Sequence, residues 1–125
     1  MTEPARSPTK LLPLTPAVFN ILMALADGEK HGFAIMLKVE ANTNGQVQMG
    51  PGTLYGSINR MLKAGLLEQS DERADAELDD QRRRYYRLTG LGQRTLHMEI
   101  ERLASQVGIA QAKDLLGSAF VGGVE

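Results

Sequence analysis

The chain has 125 residues, a formal net charge of −1 and no cysteine or tryptophan. That length suits one compact domain with a real core, and no second domain is expected. Without cysteine there is no disulfide framework, thiolate nucleophile or thiolate metal site, which fits a reducing cytoplasm. No apolar run approaches the ~20 residues of a membrane span. Met1 to Pro13 lacks the charged-then-apolar order of a signal peptide, so a cytoplasmic protein with no membrane contact is expected.

Residues 1–13 mix Pro, Ser, Thr, Lys and Arg and read as a flexible N-terminal arm. Thr15 to Ala26 is the first predicted helix. Thr15 is a good N-cap, and Pro16 stands at the first helical position. Val18, Ile21, Leu22 and Leu25 make one apolar stripe, and Asp27-Gly28 ends the helix. His31 to Asn44 is the second predicted helix, with Phe33, Ile35, Met36 and Val39 on its apolar side. Val47 to Met49 follows as a short extended link. The third helix opens at Gly50-Pro51-Gly52-Thr53 and runs to Ala64, with Gly65 as its C-terminal glycine.

Leu66 to Ser70 and Arg82 to Leu88 read as two strands of a hairpin around a long acidic loop, Asp71 to Asp80. Thr89 caps a final helix whose first turn Gly90 and Gly92 should loosen. Along it Leu96, Ile100, Leu103, Val107 and Ala110 recur at steps of four and three, the spacing of a helix-pairing seam. The expected fold is therefore mainly α with a small β-hairpin. Its divisions are a winged-helix domain over 14–88, a dimerisation helix over 89–116 and a flexible tail over 117–125.

Helix, helix, helix, hairpin, helix is the order of a winged helix-turn-helix with an added pairing helix. In that arrangement the third helix enters the DNA major groove. At roughly 100° per residue, Leu54, Ile58, Met61, Leu62 and Gly65 fall on one side of that helix. Gly52, Thr53, Gly56, Asn59, Arg60 and Lys63 fall on the other, with Tyr55 on the flank. Two glycines allow close approach. Asn59 suits an adenine edge and Arg60 a guanine edge. Lys63 and the Tyr55 hydroxyl suit phosphates, as do the N–H groups near Gly52 and Thr53. A solvated amphipathic face has the same pattern. On the second strand, Arg83, Tyr85 and Arg87 share one face, where they would grip the sugar-phosphate backbone. Alternatively they pair with the acids of Asp71 to Asp80.

Several stretches together resemble the PadR-like transcriptional regulators over roughly Leu14 to Ala112. They are Leu14-Thr15-Pro16, Ile21 to Leu25, His31 to Ile35, Gly52-Thr53-Leu54-Tyr55, Arg60 to Leu67, and Arg83 to Thr89. The resemblance implies a homodimer built mainly from terminal helices, and repression of nearby genes relieved by a small-molecule signal. A small hydrophobic effector among Met and Leu side chains at the dimer seam is the matching expectation. The partner would be double-stranded DNA carrying an inverted repeat. Gly50 stands where the family often has Ser or a similar cap. The chain is short for the family, and without tryptophan it cannot stack a ligand between paired indoles.

A winged helix used for protein-protein contact is the alternative. It would tolerate acids on the outer face of the third helix, where this chain has none. An enzyme is not expected. His31 and His97 are the only histidines and form no catalytic pair. His31 is expected to hydrogen-bond locally or pack. Two distant histidines make a poor metal site, and Asp71 to Asp80 lacks the ligand spacing and glycine of a calcium loop. No cofactor is expected.

Overall fold

A computed structural model describes residues 11–70 and 84–117. Most of the expected arm, the acidic loop Asp71 to Asp80, Arg83 and most of the tail lie outside the described residues. In chain order the elements are α1 (Pro16–Leu25), β1 (Lys30–His31), α2 (Gly32–Asn42), α3 (Pro51–Lys63), β2 (Leu67–Ser70), β3 (Tyr85–Leu88) and α4 (Gly90–Ala112).

The helix starts follow their caps. Thr15 accepts a hydrogen bond from the Val18 N–H and Pro16 opens α1, as its sequence predicts. His31 caps α2: its Nδ1 accepts the Ala34 N–H at 3.2 Å. Gly50 begins α3 with no side-chain cap. At the other end of α3, Gly65 takes φ +81° and the Leu66 N–H reaches back to the Met61 carbonyl at 2.9 Å, a Schellman-type stop. Thr89 starts α4 by accepting from the Gly92 N–H at 3.0 Å.

One core joins all the helices to the sheet. Ile21, Leu22 and Leu25 of α1 meet Ile35 and Val39 of α2, Leu54, Ile58 and Met61 of α3, Leu67 and Tyr86 of the sheet, and Leu96 of α4. Each such side chain, fully buried, stabilises the fold by roughly 1.5–3 kcal/mol. Phe33 is not among them. It is 54% exposed, because it lies roughly 200° around α2 from Ile35 at 100° per residue. The inward face of α2 is carried by Ile35 and Val39.

The sheet has three strands in the order β1-β3-β2, all antiparallel. The expected hairpin is β2 with β3, in the register Leu67↔Leu88 to Ser70↔Tyr85. The added strand is β1, which pairs Lys30 with Tyr86 and His31 with Tyr85. Two residues carry no readable alternation, and only the tertiary pairing makes them a strand.

The first turn of α4 is tight rather than loose. A methyl group on Gly92 would run into the backbone carbonyl of Leu66, so the glycine lets α4 start directly against the entry to β2. Further along, the Glu99 carboxylate is buried. It accepts from Arg102 Nε at 2.6 Å and Nη2 at 2.9 Å, and from the Leu14 N–H at 3.1 Å. This ties the segment before α1 to α4. The Arg102 hydrogen bonds hold the Glu99 carboxyl below its usual range, against the opposing effect of burial. Beyond Leu103, residues 104–109 are all exposed, so the second half of α4 runs clear of the body. Among the described residues no helix is long and apolar enough to cross a membrane.

Candidate nucleic-acid interface

The inward side of α3 anchors it and so determines what its outer side shows. Leu54, Ser57, Ile58 and Met61 are buried, which leaves Gly52, Thr53, Asn59, Arg60 and Lys63 exposed, with Gly56 half-buried. The face expected from the helical period is therefore open along the whole of α3, and it carries two cations and no carboxylate. Pro51, Gly52 and Thr53 form its exposed first turn, where the N–H groups have no partner within the helix. Ser57 was not anticipated in the core. Its hydroxyl accepts from Arg60 Nη2 at 3.2 Å, which steers the arginine along the helix surface.

Tyr55 is more internal than a free phosphate contact would be. It is half-buried, and its hydroxyl end lies so close over Gly32 that a Cβ there would overlap it. Gly32 thus lets the third helix seat against the first turn of α2. Tyr55 also acts electrostatically on Tyr86 of β3, whose hydroxyl is pushed above its ordinary value, chiefly by burial.

The strand residues divide. Arg83 lies outside the described residues. Tyr85 is half-buried and meets the His31 ring edge-on, with centroids 5.4 Å apart and planes at 80°. Arg87 is exposed and pairs with Glu68 across the hairpin, Nε to Oε2 2.7 Å. That partner is a residue of the neighbouring strand, and the acids of Asp71 to Asp80 lie outside the described residues. Arg87 also borders a groove of about 560 Å³ floored by Leu25, Leu88, Leu96 and Ile100, with Gln93 and His97 on its rim. His31 is structural, as a cap and as a packing surface for Tyr85.

Of the expected pairing residues, Leu96 is 6% exposed and belongs to the protomer's own core. It faces inward because the start of α4 is clamped to the sheet. Ile100 and Val107 remain 41% and 40% exposed, and Leu103 and Ala110 are half-buried.

Three helices with the third exposed along its outer side, followed by an antiparallel hairpin and a long terminal helix, define a winged helix-turn-helix module. The comparisons give it a family. Residues 21–98, more than half the chain, match the Transcriptional regulator PadR-like family, and the chain belongs to that family. It is 34% identical over 88 residues to an uncharacterized 37.1 kDa protein in transposon Tn4556 of Streptomyces fradiae, spanning 70% of this chain and 23% of that one. The chain thus spans about a quarter of that relative's length. The fold is similar to a PadR family transcription regulator of Clostridium difficile (TM-score 0.63, 18% identity, 78% of this chain and 97% of that one). It is also similar to Bacillus subtilis PadR, solved in complex with operator DNA (TM-score 0.60, 18% identity, 70% of this chain and 47% of that one).

Proposed function

We propose that this chain is a sequence-specific DNA-binding regulator of transcription that acts as a homodimer and represses until a small hydrophobic effector binds. The observation that carries the DNA reading is the outer face of α3, which presents small, amide and basic groups along its length and no acid. In the major groove Asn59 reads an adenine edge and Arg60 a guanine edge, while Lys63 and the first-turn N–H groups hold phosphates. The operator complex of the Bacillus subtilis relative supports the same use of the fold. Selection of bound duplexes from a random library tests the reading, and an inverted repeat is expected. Half-sites should lie about 34 Å apart, or a multiple of that. Asn59→Ala and Arg60→Ala should each cost ~1–3 kcal/mol and relax preference at one base position. Variants that bind every selected site as the wild type does would remove α3 as the reading surface.

The homodimer rests on the second half of α4. Twenty-three residues make it about 34 Å long, and Ile100, Leu103, Val107 and Ala110 continue an apolar stripe beyond the body. A second copy in two-fold symmetry covers that stripe. Leu103→Asp should convert dimers to monomers in sedimentation runs, and a wild-type chain that sediments as a monomer at micromolar concentration would refute the assembly. The groove floored by Leu25, Leu88, Leu96 and Ile100 is continuous with this stripe and supports an apolar effector site. An effector must bind the DNA-free and DNA-bound states with different affinity, so calorimetry with aromatic compounds, with and without operator, tests that part.

A further inference from the structure

Helix α4 is anchored to the body at both ends of its inner half. At the start Gly92 lies directly under the Leu66 carbonyl, and Leu96 follows into the core. Two turns after Gly92 comes Glu99, which is 2% exposed and is the last buried residue of the helix. Its carboxylate accepts from the Leu14 N–H at 3.1 Å. Leu14 immediately precedes Thr15, the N-cap of α1. Leu14 and Thr15 also line a crevice of about 210 Å³ together with Arg60, Met61 and Ala64 of α3. Glu99 is therefore tied to the segment that borders the helix carrying Asn59 and Arg60.

A carboxylate is an unusual last anchor. Burying one costs roughly what its ion pair returns, and a leucine there would hold the helix by apolar area. What the carboxylate adds is direction. Arg102, one turn on, donates to Oε1 from Nε at 2.6 Å and to Oε2 from Nη2 at 2.9 Å, and Oε2 also takes the Leu14 N–H. Both oxygens are fixed, so α4 is held to one place on the segment before α1. Two anchors set the direction of a rod. Along the axis Gly92 and Glu99 are about 10 Å apart, and Gly92 and Ala112 about 30 Å. About 1 Å of slack at Glu99 therefore becomes about 3 Å at the far end, close to the ~3.4 Å rise of one base pair.

We propose that Glu99 is a positioning residue that sets the spacing between operator half-sites: by holding Leu14 it fixes the angle between the pairing half of α4 and the base-reading α3. This rests on the α4 homodimer and on α3 as the reading helix. Base preference within a half-site belongs to Asn59 and Arg60, and the distance between half-sites belongs to the rigid path from one α3 through α4 to its partner's copy.

The experiment is fluorescence anisotropy with four duplexes: the library-selected inverted repeat, the same repeat lengthened or shortened by one base pair at its centre, and a single half-site. The wild type should lose about tenfold or more on either altered repeat, because one base pair moves a half-site by about 3.4 Å and turns it by about 36°. Glu99→Leu keeps an apolar side chain in the buried position and removes the acceptor. It should remain a dimer in sedimentation runs and bind the three repeats within about threefold of one another, with half-site affinity and base preference unchanged. Glu99→Gln keeps an oxygen that can accept the Leu14 N–H and should retain most of the wild-type discrimination. Arg102→Ala, at a half-buried position, frees one side of the carboxylate and should give an intermediate loss, which keeps the test open if Glu99→Leu does not fold. If Glu99→Leu or Arg102→Ala weakens all three repeats equally and keeps the wild-type ratio between them, the latch is merely structural and the proposal fails, while the dimer and α3 readings stand. A monomeric Glu99→Leu would place the residue in the pairing surface and overturn the proposal as well. If the wild type binds a half-site as tightly as the repeat, the dimer reading fails and the proposal with it; if it binds no duplex, the DNA reading fails too.

Discussion

Gly92→Ala is the sharpest test of how α4 is set against the sheet. The added methyl meets the carbonyl oxygen of Leu66, a backbone atom that cannot rotate aside. The same carbonyl accepts the Thr89 N–H at 3.1 Å, and the Thr89 hydroxyl donates to the Gly65 carbonyl at 2.5 Å while accepting from the Gly92 N–H at 3.0 Å. The substitution therefore pushes on the junction that joins the end of α3, the start of β2 and the start of α4. Overpacking of this kind typically costs about 1–3 kcal/mol, and disturbing one backbone hydrogen bond adds about 0.5–1.5 kcal/mol. Replacing a helical glycine by alanine returns at most about 1 kcal/mol. The net expectation is a loss of about 2 kcal/mol, a fall in Tm of roughly 6–10 °C for a domain of this size. Urea unfolding followed by far-UV circular dichroism measures it, at one fixed protein concentration because a dimer's stability depends on concentration. Gly52→Ala is the matched control. Gly52 is helical and exposed with nothing within 4 Å of a built Cβ, so the same chemical change should stabilise by roughly 0.5–1 kcal/mol. Equal gains at both positions would mean that the Leu66 carbonyl does not stand over Gly92, and the account of this junction would be wrong.

Two further outcomes follow from buried and capping groups. Glu99 is held below its usual pKa by Arg102, so its ion pair contributes stability above the ordinary glutamate value of about 4.3 and loses it as the pH falls through the lowered folded value. Urea midpoints measured against pH should fall on the acid side in the wild type and show a flatter acid limb in Glu99→Gln; identical limbs would exclude this carboxylate as a source of acid sensitivity. His31→Ala removes the Nδ1 acceptor for the Ala34 N–H and the ring that packs on Tyr85, and should destabilise by about 1–2 kcal/mol in the same unfolding assay, with DNA affinity below the unfolding transition changed little.

Local signals placed the helices well. Thr15 with Pro16 starts α1 where capping chemistry says it should, and Pro51 opens α3. The apolar stripe of α3 predicts its buried side, and its complement is the exposed face on which Asn59, Arg60 and Lys63 stand. These features are legible because a cap or a helical stripe is satisfied within a few residues of chain. Other features depend on distant partners. Lys30 and His31 are a strand only because β3 lies beside them. Phe33 looks like a core residue by composition, yet it lies about 200° around α2 from the buried Ile35 and is left outside. Leu96 opens an apparent pairing seam, but the clamp of Gly92 under Leu66 sets the second turn of α4, with Leu96, into the protomer's core. Strand β3 shows the same division. Alternation puts Tyr86 on one face and Tyr85 with Arg87 on the other, and the structure buries Tyr86 and leaves Arg87 exposed. Tyr55 settles over Gly32 at the first turn of α2, a contact that joins α3 to α2 and that no local pattern reveals. Sequence periodicity defines faces, while tertiary packing decides what each face meets: on the outer face of β3, Arg87 meets Glu68 across the hairpin and Tyr85 meets His31.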